Sequence, residues 1–404
     1  MFRWECLPDF VPASDFPFES IAFLWPLFTP EIVTLEVQLN DSDDPKYRLF
    51  LENYPSLCPN LKSIKFNFSS GIQDHETVSQ PEALSQAICG NANWQHVELS
   101  PSIDNVVLKH LGICSALETV SLTVAPQTSR PDEACFGPED TPFRSVTDLA
   151  LILWNSLDFA TCLLRPRDQV FNSFKVTLYT LMVATELSSL LAALASPQRT
   201  NSLRSINISH VHHIVSGASL STIDTHRSPL SYETFRPLVS LANLRRLVIN
   251  LNHSTSLNDE EFAGLVRNWP LLENLHMTWA CVERPLASIT LKGLLSLIGS
   301  CPRLRQVALT LDASDVPVVG TYADVCNPSI TSPVQFHNSP LKDPDLVAKF
   351  LMKHLPSIPG VVPTFTWVVT WHTAQQTTNI ADFSLEYRRL WLQVNGCIGH
   401  PTFT

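Results

Sequence analysis

Glycine and positive charge are both in short supply in this 404-residue chain. It contains 12 glycines against 30 prolines, and its 27 lysines and arginines are outnumbered by 38 aspartates and glutamates, which gives a formal net charge of −11. Scarce glycine argues against the flexible loops that cradle phosphates, and frequent proline predicts many abrupt element ends. An acidic chain is a poor general partner for nucleic acid or an anionic membrane, so we expect neither as a partner.

Long hydrophobic runs are missing as well. The most apolar stretch, 180–196, is too short to cross a membrane and carries Glu186, so it predicts an amphipathic helix. The start MFRWECLPDF has no apolar segment behind a basic head, so no secretory signal is expected. Ten cysteines without such a signal predict buried thiols in a reducing compartment. The expected location is therefore the cytoplasm or nucleus, not the outside of the cell.

Motifs that carry chemistry are absent too. The chain has no GxxxxGK[ST], strand-linked GxGxxG, GxSxG or HExxH, and no two cysteines lie within four residues of each other. His210, His212 and His213 leave two readings open, a pair of metal ligands on one strand or the start of a solvated loop. We predict a non-enzymatic protein without catalytic residues, metal or cofactor. A hydrolase with an unrecognised Ser/His pair is the remaining enzymatic alternative.

The chain does contain a repeated stretch. CPNLKSIKFNF from residue 58, CSALETVSLTV from 114, WPLLENLHMTW from 269 and CPRLRQVALTL from 301 all carry apolar residues at their fourth, seventh and ninth positions. This LxxLxL kernel is that of a leucine-rich repeat, whose alternating part forms a short strand with one buried face. With the degenerate copies included, the central kernel residues are Leu35, Ile64, Val97, Val120, Leu149, Phe174, Ile206, Leu247, Leu275, Val307 and Val334.

The first position of the kernel is taken by Cys58, Cys114 and Cys301, and once by Trp269. Replacement of cysteine by tryptophan indicates a site that needs apolar volume, not a thiol. We therefore predict that the three cysteines belong to the core.

Helix patterns separate the kernels. In NDEEFAGLVRNW, Asn258 is a candidate N-cap and Glu261 completes a capping box. Units of strand, helix and parallel strand coil right-handedly and must stack to bury their apolar faces. The predicted fold class is an α/β leucine-rich-repeat solenoid with parallel strands on the concave face and helices outside. Residues 1–29 are expected to be irregular, 30–340 to form about 11 irregular repeats, and 341–404 to form a helix/strand/helix cap.

The chain resembles a known family at several points. The Cys-Pro-x-Leu-Lys/Arg signature, the long irregular repeats and the scarcity of the consensus asparagine, kept only at Asn40 and Asn252, resemble fungal F-box/leucine-rich-repeat (RNI-like) proteins. FHNSPLKDPDLVAKFLMKHLP resembles the late strand and helix of that family, with Asp343 as N-cap and Pro344 in the first helical position. The Trp-rich strand over 364–371 and the closing helix over 379–394 resemble its end, where the capping residues are Trp367, Trp371, Ile380, Phe383, Leu390 and Trp391.

The resemblance implies a function as the substrate receptor of a cullin ubiquitin ligase. Such receptors dock a Skp-type adaptor through an F-box. The segment Cys6–Asp9 is only a faint echo of an F-box start, and prolines interrupt the residues after it. We therefore expect a Skp-type adaptor as a partner only if an F-box lies upstream of Met1. The alternative is a repeat array that acts as an adaptor-independent scaffold or decoy.

In the predicted fold, the strand residues between the buried positions point into the concavity. Their hydrogen-bonding side chains suit a protein partner. The residues predicted to contact it are Glu36, Lys65, Glu98, Lys175, Asn207, Arg246, Asn250, His276 and Thr278. Three insertions, 125–142, 212–232 and 312–331, are further candidates for partner binding. A basic row, Lys62, Arg204, Arg245 and Arg305, has two interpretations, recognition of carboxylates or phosphates, or solvated residues ahead of the strands.

Overall fold

The chain forms two compact units, Met1–Val176 and Thr177–Thr404. Each is built from short parallel strands that alternate with helices. The computed structural model describes residues 2–5, 28–39, 45–68, 82–124, 142–154, 156–164, 169–179, 182–211, 229–251, 253–279, 288–317, 325–337, 339–364 and 388–398.

In the first unit each strand pairs in parallel with the next strand along the chain, from β1 to β6. The strands are β1 (Phe2–Glu5), β2 (Thr34–Leu39), β3 (Ser63–Phe68), β4 (His96–Ile103), β5 (Thr119–Val124), β6 (Asp148–Leu153) and β7 (Ser173–Leu178), which runs across the division between the units. The helices are α1 (Pro45–Leu57), α2 (Glu82–Cys89), α3 (Asn105–Ile113) and α4 (Asp158–Leu163).

The second unit repeats the arrangement, with parallel pairing of successive strands from β8 to β13. Its strands are β8 (Ser205–His210), β9 (Arg246–Leu251), β10 (Asn274–Trp279), β11 (Gln306–Leu309), β12 (Val334–His337) and β13 (Val361–Thr364). Its helices are α5 (Ala184–Leu194), α6 (Tyr232–Phe235), α7 (Asp259–Val266), α8 (Leu291–Ser300) and α9 (Pro344–His354), with a 3₁₀ helix over Arg236–Ser240 and a helical stretch over 388–398.

The repeat kernels determine which residues of neighbouring strands are paired. Leu247, Leu275 and Val307 are direct partners on neighbouring strands, and each is at most 2% exposed. A strand buries one face through alternate residues, so a shift of one residue would expose its whole apolar set and is strongly disfavoured. The predicted α/β solenoid is confirmed, with every predicted kernel lying on a strand. The sheet is open, and we call the strand face opposite the helices the open face.

The predicted core cysteines are buried. Cys301 is 0% exposed and ends α8, and its Sγ lies 3.4 Å from the carbonyl oxygen of Trp269. Trp269 itself is 0% exposed and donates its indole N–H to the carbonyl of Leu238 at 2.9 Å. Cys58 and Cys114 are also buried. The first kernel position is therefore a core position that accepts side chains of very different volume.

Helix starts agree with the sequence signals. The side chain of Asn258 accepts from the backbone N–H of Glu261 at 2.9 Å, and the Glu261 carboxylate accepts from the backbone N–H of Asn258 at 3.0 Å. This reciprocal pair is the predicted capping box. Asp343 accepts from the N–H of Leu346 at 3.0 Å, with Pro344 in the first turn of α9. Both predicted caps are confirmed.

Two carboxylates each connect the start of one helix to a neighbouring helix. The sequence patterns around these residues did not indicate such a connection. Asp259 accepts from the backbone N–H groups of Thr290 at 2.7 Å and Gly293 at 3.0 Å, and from the Thr290 hydroxyl at 2.7 Å. It thereby caps α8, the next helix along the chain. In the first unit Asp104 caps α3 and accepts from the Ser85 hydroxyl of α2 at 2.7 Å.

Polar side chains also connect successive repeats at the turn before each strand. Asn60 donates to the carbonyl of Pro30, Asn91 to that of Leu61, Ser145 to that of Ser115, Asn243 to that of Asn201 and Asn327 to that of Cys301. These bonds are 2.6 to 3.1 Å long. Asn40 and Asn252, which keep the consensus asparagine of leucine-rich repeats, lie outside the described residues. The side chains that connect the repeats by these hydrogen bonds come before the strands.

The helical stretch over 388–398 covers the last strand. Trp391 is 0% exposed and donates its indole N–H to the carbonyl of Ser339 at 2.9 Å, and its ring lies tilted against that of Phe336 with the centroids 4.7 Å apart. The Asn395 side chain accepts from the backbone N–H of Val361 at 2.6 Å and donates back to its carbonyl. One amide side chain thus satisfies the outward backbone groups of β13 at this position and blunts its edge.

The boundaries of the array differ in part from the predictions. Residues 2–5, expected to be irregular, form β1 in parallel pairing with β2. Only Thr364 of the predicted strand 364–371 is described, as the end of β13, and the closing helix extends to residue 398. Of the predicted capping residues, Leu390 and Trp391 lie in that helix, whereas Trp367, Trp371, Ile380 and Phe383 lie outside the described residues.

Candidate functional site

Three predicted contact residues of the first unit, Glu36, Lys65 and Glu98, occupy a single row of the open face. Glu36 pairs in register with Lys65, and Lys65 with Glu98. The Lys65 Nζ lies 2.9 Å from the Glu98 carboxylate and forms an ion pair with it. The Asn67 side chain forms hydrogen bonds of 3.5 Å with Glu36 and with Ser100. Lys175 lies on β7 and is exposed. The structure therefore brings Glu36, Lys65 and Glu98 together, with the charge of Lys65 paired to Glu98.

The open face of the second unit has a different character. Asn207 faces Val248 in register, and Val248 faces His276, while Asn250 faces Thr278 two residues further along the strands. Asn207, Asn250 and His276 are half-buried and Arg246 is exposed. Among the described residues no donor reaches the buried Oδ1 of Asn207. The surface thus offers neutral hydrogen-bonding groups beside the cationic side chain of Arg246.

Thr278 does not fit its predicted role as an exposed contact. It is 4% exposed, and two other threonines, Thr123 on β5 and Thr310 directly after β11, are 5% and 3% exposed. Thr310 accepts a hydrogen bond from the backbone N–H of Trp279 at 3.1 Å. A short side chain in the middle of a sheet is shielded by longer neighbours on adjacent strands, and alternation along one strand does not reveal this. The placement of Thr278 on the accessible surface is therefore corrected.

Sequence reasoning missed a second histidine near His276. His337 lies at the end of β12 and, like His276, is half-buried. Burial, and to a lesser degree the neighbouring His276, lower the pKa of His337 to about 4. Burial and, second to it, the charge of Arg246 also lower the pKa of His276. Both imidazoles are therefore neutral at physiological pH and act as hydrogen-bonding groups.

His337 gives the protein a specific acid sensitivity. Its pKa is about 4 in the folded state against 6.5 for the ordinary side chain. Below pH 6.5 the unfolded chain binds a proton that the folded chain does not, so stability falls as the pH is lowered and the loss is complete below pH 4. We expect this group to contribute a loss on the order of 2 kcal/mol, after allowance for partial solvent exposure.

Urea unfolding at a series of pH values from 7 to 4 measures the effect. His337→Gln removes the titration while keeping a polar side chain, so its unfolding free energy should decline less over this range. Groups that do not interact with His337 titrate in both proteins and cancel in the difference. Parallel curves for the two proteins would contradict the assignment.

The basic row predicted from the sequence lies along the edge where the strands begin. The backbone N–H of Arg245 bonds the carbonyl of Arg204 at 2.8 Å, Glu273 bonds Arg245 at 2.8 Å, and Arg305 bonds Glu273 at 2.7 Å. Lys62 has the equivalent place in the first unit, where its N–H bonds the carbonyl of Val33 at 2.9 Å. Arg204 and Arg245 are thus neighbours in the second unit, Arg305 follows after Glu273, and Lys62 is in the first unit.

The insertions are described only in part. Residues 125–141, 212–228 and 318–324 lie outside the described residues, and so does His212 of the alternative metal pair, His210 and His212. In the third insertion, Asp312 bridges to Thr290 and Ala313 to Leu341 in parallel. This part of the predicted loop thus makes isolated parallel bridges outside the named strands.

Burial raises the pKa of the Cys301 thiol to about 12 and that of Cys114 to about 11. Both therefore stay protonated at neutral pH and are poor nucleophiles or metal ligands. In the part of the chain that the structure describes, no three histidine, cysteine or carboxylate side chains are grouped so that they could bind a metal ion. Within the same residues, none of the helices has the length and apolar character needed to span a membrane.

Comparisons with known proteins add no family. A scan against protein-family models and a search of curated proteins both gave no match to this chain.

Proposed function

We propose that the protein is a non-enzymatic protein-recognition module that binds a partner on the open face of its second unit. The observation that carries the proposal is the contrast between the two open faces. In the first unit two of the predicted contact residues, Lys65 and Glu98, are already paired with each other at 2.9 Å. In the second, the half-buried residues Asn207, Asn250 and His276 stand on adjacent strands.

Such a surface suits a protein segment, because rows of fixed amide and imidazole groups at strand spacing can match the backbone and side chains of a partner. The resemblance of the repeats to F-box/leucine-rich-repeat proteins adds a specific version, in which the module reads substrates for a cullin ubiquitin ligase. The alternative is a scaffold or decoy that acts without a Skp-type adaptor.

Photo-crosslinking in the native cell tests the proposal. Benzoylphenylalanine is placed at Asn250 or Gln306 on the open face, and at the exposed Lys292 of α8 as a control on the helical face. We expect a discrete protein adduct from the two open-face positions and none from Lys292. Adducts of equal intensity from all three positions, or none from any, would overturn the proposal. Copurification of a Skp-type adaptor separates the receptor version from the scaffold version.

A further inference from the structure

Four arginines form a compact cationic edge on the second unit. We use the name arginine edge for Arg204, Arg245, Arg246 and Arg305. Arg204, Arg245 and Arg305 are connected through the backbone ladder that also includes Glu273. Arg246 comes directly after Arg245 and lies on the open face in register with Asn274. The strand ladder therefore sets the spacing of these residues, at about 4.8 Å per strand.

The guanidinium groups of this edge are largely available. Arg204, Arg246 and Arg305 are exposed, and within the described part of the chain their side chains make no hydrogen bond or ion pair. Arg245 contacts the carboxylate of Glu273 at 3.5 Å with 46% of its side chain exposed. An exposed pair of this length contributes little stability, so Arg245 can exchange Glu273 for another carboxylate at small cost.

The equivalent positions of the first unit do not form such an edge. The same ladder there runs through Lys62, Gln95, Glu118, Thr147 and Asn172. It mixes one cation, one anion and three neutral residues. The arginine edge is therefore specific to the second unit, in a protein whose formal charge is −11.

We propose that the arginine edge binds an acidic peptide segment of the protein partner. This rests on the proposed recognition function and names the chemistry of the segment. Guanidinium groups present planar pairs of N–H donors that match carboxylates, which a lysine row would not do. From Arg204 to Arg305 the edge spans three strand intervals, about 14 Å. Carboxylates on alternate residues of an extended peptide span about 13 Å over five residues and match this length.

Glu273 acts in this arrangement as an internal competitor. Its carboxylate, between Arg245 and Arg305 in the ladder, occupies the place that a ligand carboxylate would take. Loss of its charge should therefore strengthen binding of an acidic peptide. Damage to the fold would weaken binding instead, so this substitution separates recognition from structural disturbance.

Fluorescence anisotropy with labelled peptides of about ten residues tests the inference. The first peptide carries glutamate at alternate positions, the second has glutamine at the same positions, and the third carries phosphoserine there. We expect the glutamate peptide to bind, the glutamine peptide not to bind, and added salt to weaken binding. Glu273→Gln should bind about fivefold tighter and the triple variant Arg204→Ala/Arg245→Ala/Arg305→Ala about thirtyfold weaker. Lys62→Ala, the matched control in the first unit, should bind as the unchanged protein does.

Equal affinity for the glutamate and glutamine peptides would overturn the inference, and so would weaker binding by Glu273→Gln. Tighter binding of the phosphoserine peptide than of the glutamate peptide would support the edge as an anion site and assign phosphate as its ligand. Preference for a single-stranded oligonucleotide over both acidic peptides would refute a peptide ligand.

The recognition function fails separately from this inference. If open-face crosslinks to a protein persist in the triple variant while acidic peptides do not bind, recognition stands and the arginine edge has no part in it. If acidic peptides bind but the open face yields no adduct, the peptide site stands without the proposed module.

Discussion

Replacement of Trp269 by alanine should cost about 3–5 kcal/mol of the free energy of unfolding, the range found for large aromatic side chains in cores. Trp269 is 0% exposed at the first kernel position of its repeat, and its indole N–H bonds the Leu238 carbonyl at 2.9 Å. Alanine would leave a cavity in the middle of the second unit and a buried carbonyl without its donor. Urea unfolding monitored by circular dichroism measures the loss.

Two substitutions control this result. Trp269→Phe keeps most of the buried volume but loses the N–H, so it should cost about 1–2 kcal/mol. Cys301→Ala removes one sulfur atom from the equivalent position of the next repeat and should cost about 1–2 kcal/mol. If Trp269→Ala and Cys301→Ala proved equally destabilising, the volume of the side chain would not be the property that stabilises this position.

Removal of the Asp259 carboxylate should cost about 3 kcal/mol, more than a helix-dipole effect can explain. Asp259 accepts from the backbone N–H groups of Thr290 and Gly293 and from the Thr290 hydroxyl. In Asp259→Ala these donors lose their acceptor at the start of α8, and the tie between α7 and α8 is broken. Urea unfolding and hydrogen exchange at the N–H of Gly293 both report the change.

Glu260→Ala is the matched control, because Glu260 is the next residue in the same first turn but is exposed. It loses only a favourable interaction with the helix dipole, a few tenths of a kcal/mol at a surface position. Gly293→Ala tests the same contact by changing the residue whose N–H bonds the Asp259 carboxylate. An added Cβ would lie 2.7 Å from the Asp259 Oδ1 and 2.7 Å from the Ile289 Cγ2. Equal losses for Asp259→Ala and Glu260→Ala would reject the cap between the helices.

Strands and helix caps could be predicted because their signals are local. Leu275 and Met277 alternate with polar residues within one strand, and that pattern alone specifies which face is buried. Asn258 and Glu261 are three residues apart, so their capping box also depends on adjacent sequence only.

Contacts between repeats could not be predicted in the same way. Asn243 bonds the carbonyl of Asn201, 42 residues away, whereas Asn91 reaches the carbonyl of Leu61, 30 residues away. A variable repeat length hides such pairs from any fixed spacing. Arg199 shows a related limit, because it is 1% exposed and bonds the Ala193 carbonyl at 2.6 Å near the end of α5, where sequence alone favours an exposed cation.

The candidate site was predictable as a set of positions but not as a surface. The sequence placed Glu36, Lys65 and Glu98 on one face, and the register confirms that they are neighbours. That Lys65 and Glu98 neutralise each other, that Thr278 is shielded and that His337 stands near His276 required the structure. These properties depend on which strands are adjacent and on side-chain lengths across them.

By itself, then, the sequence determined the parallel α/β solenoid, its strand register and its main helix starts. Each of these is stabilised by a hydrophobic or capping pattern within a few residues. Only the tertiary structure decided how polar groups of different repeats meet, as in Asp259 with α8, Asn395 with Val361, and Arg204 beside Arg245. Hydrogen bonds and charge interactions act over a few ångströms in space, and residues about thirty positions apart reach that distance only when the repeats have stacked.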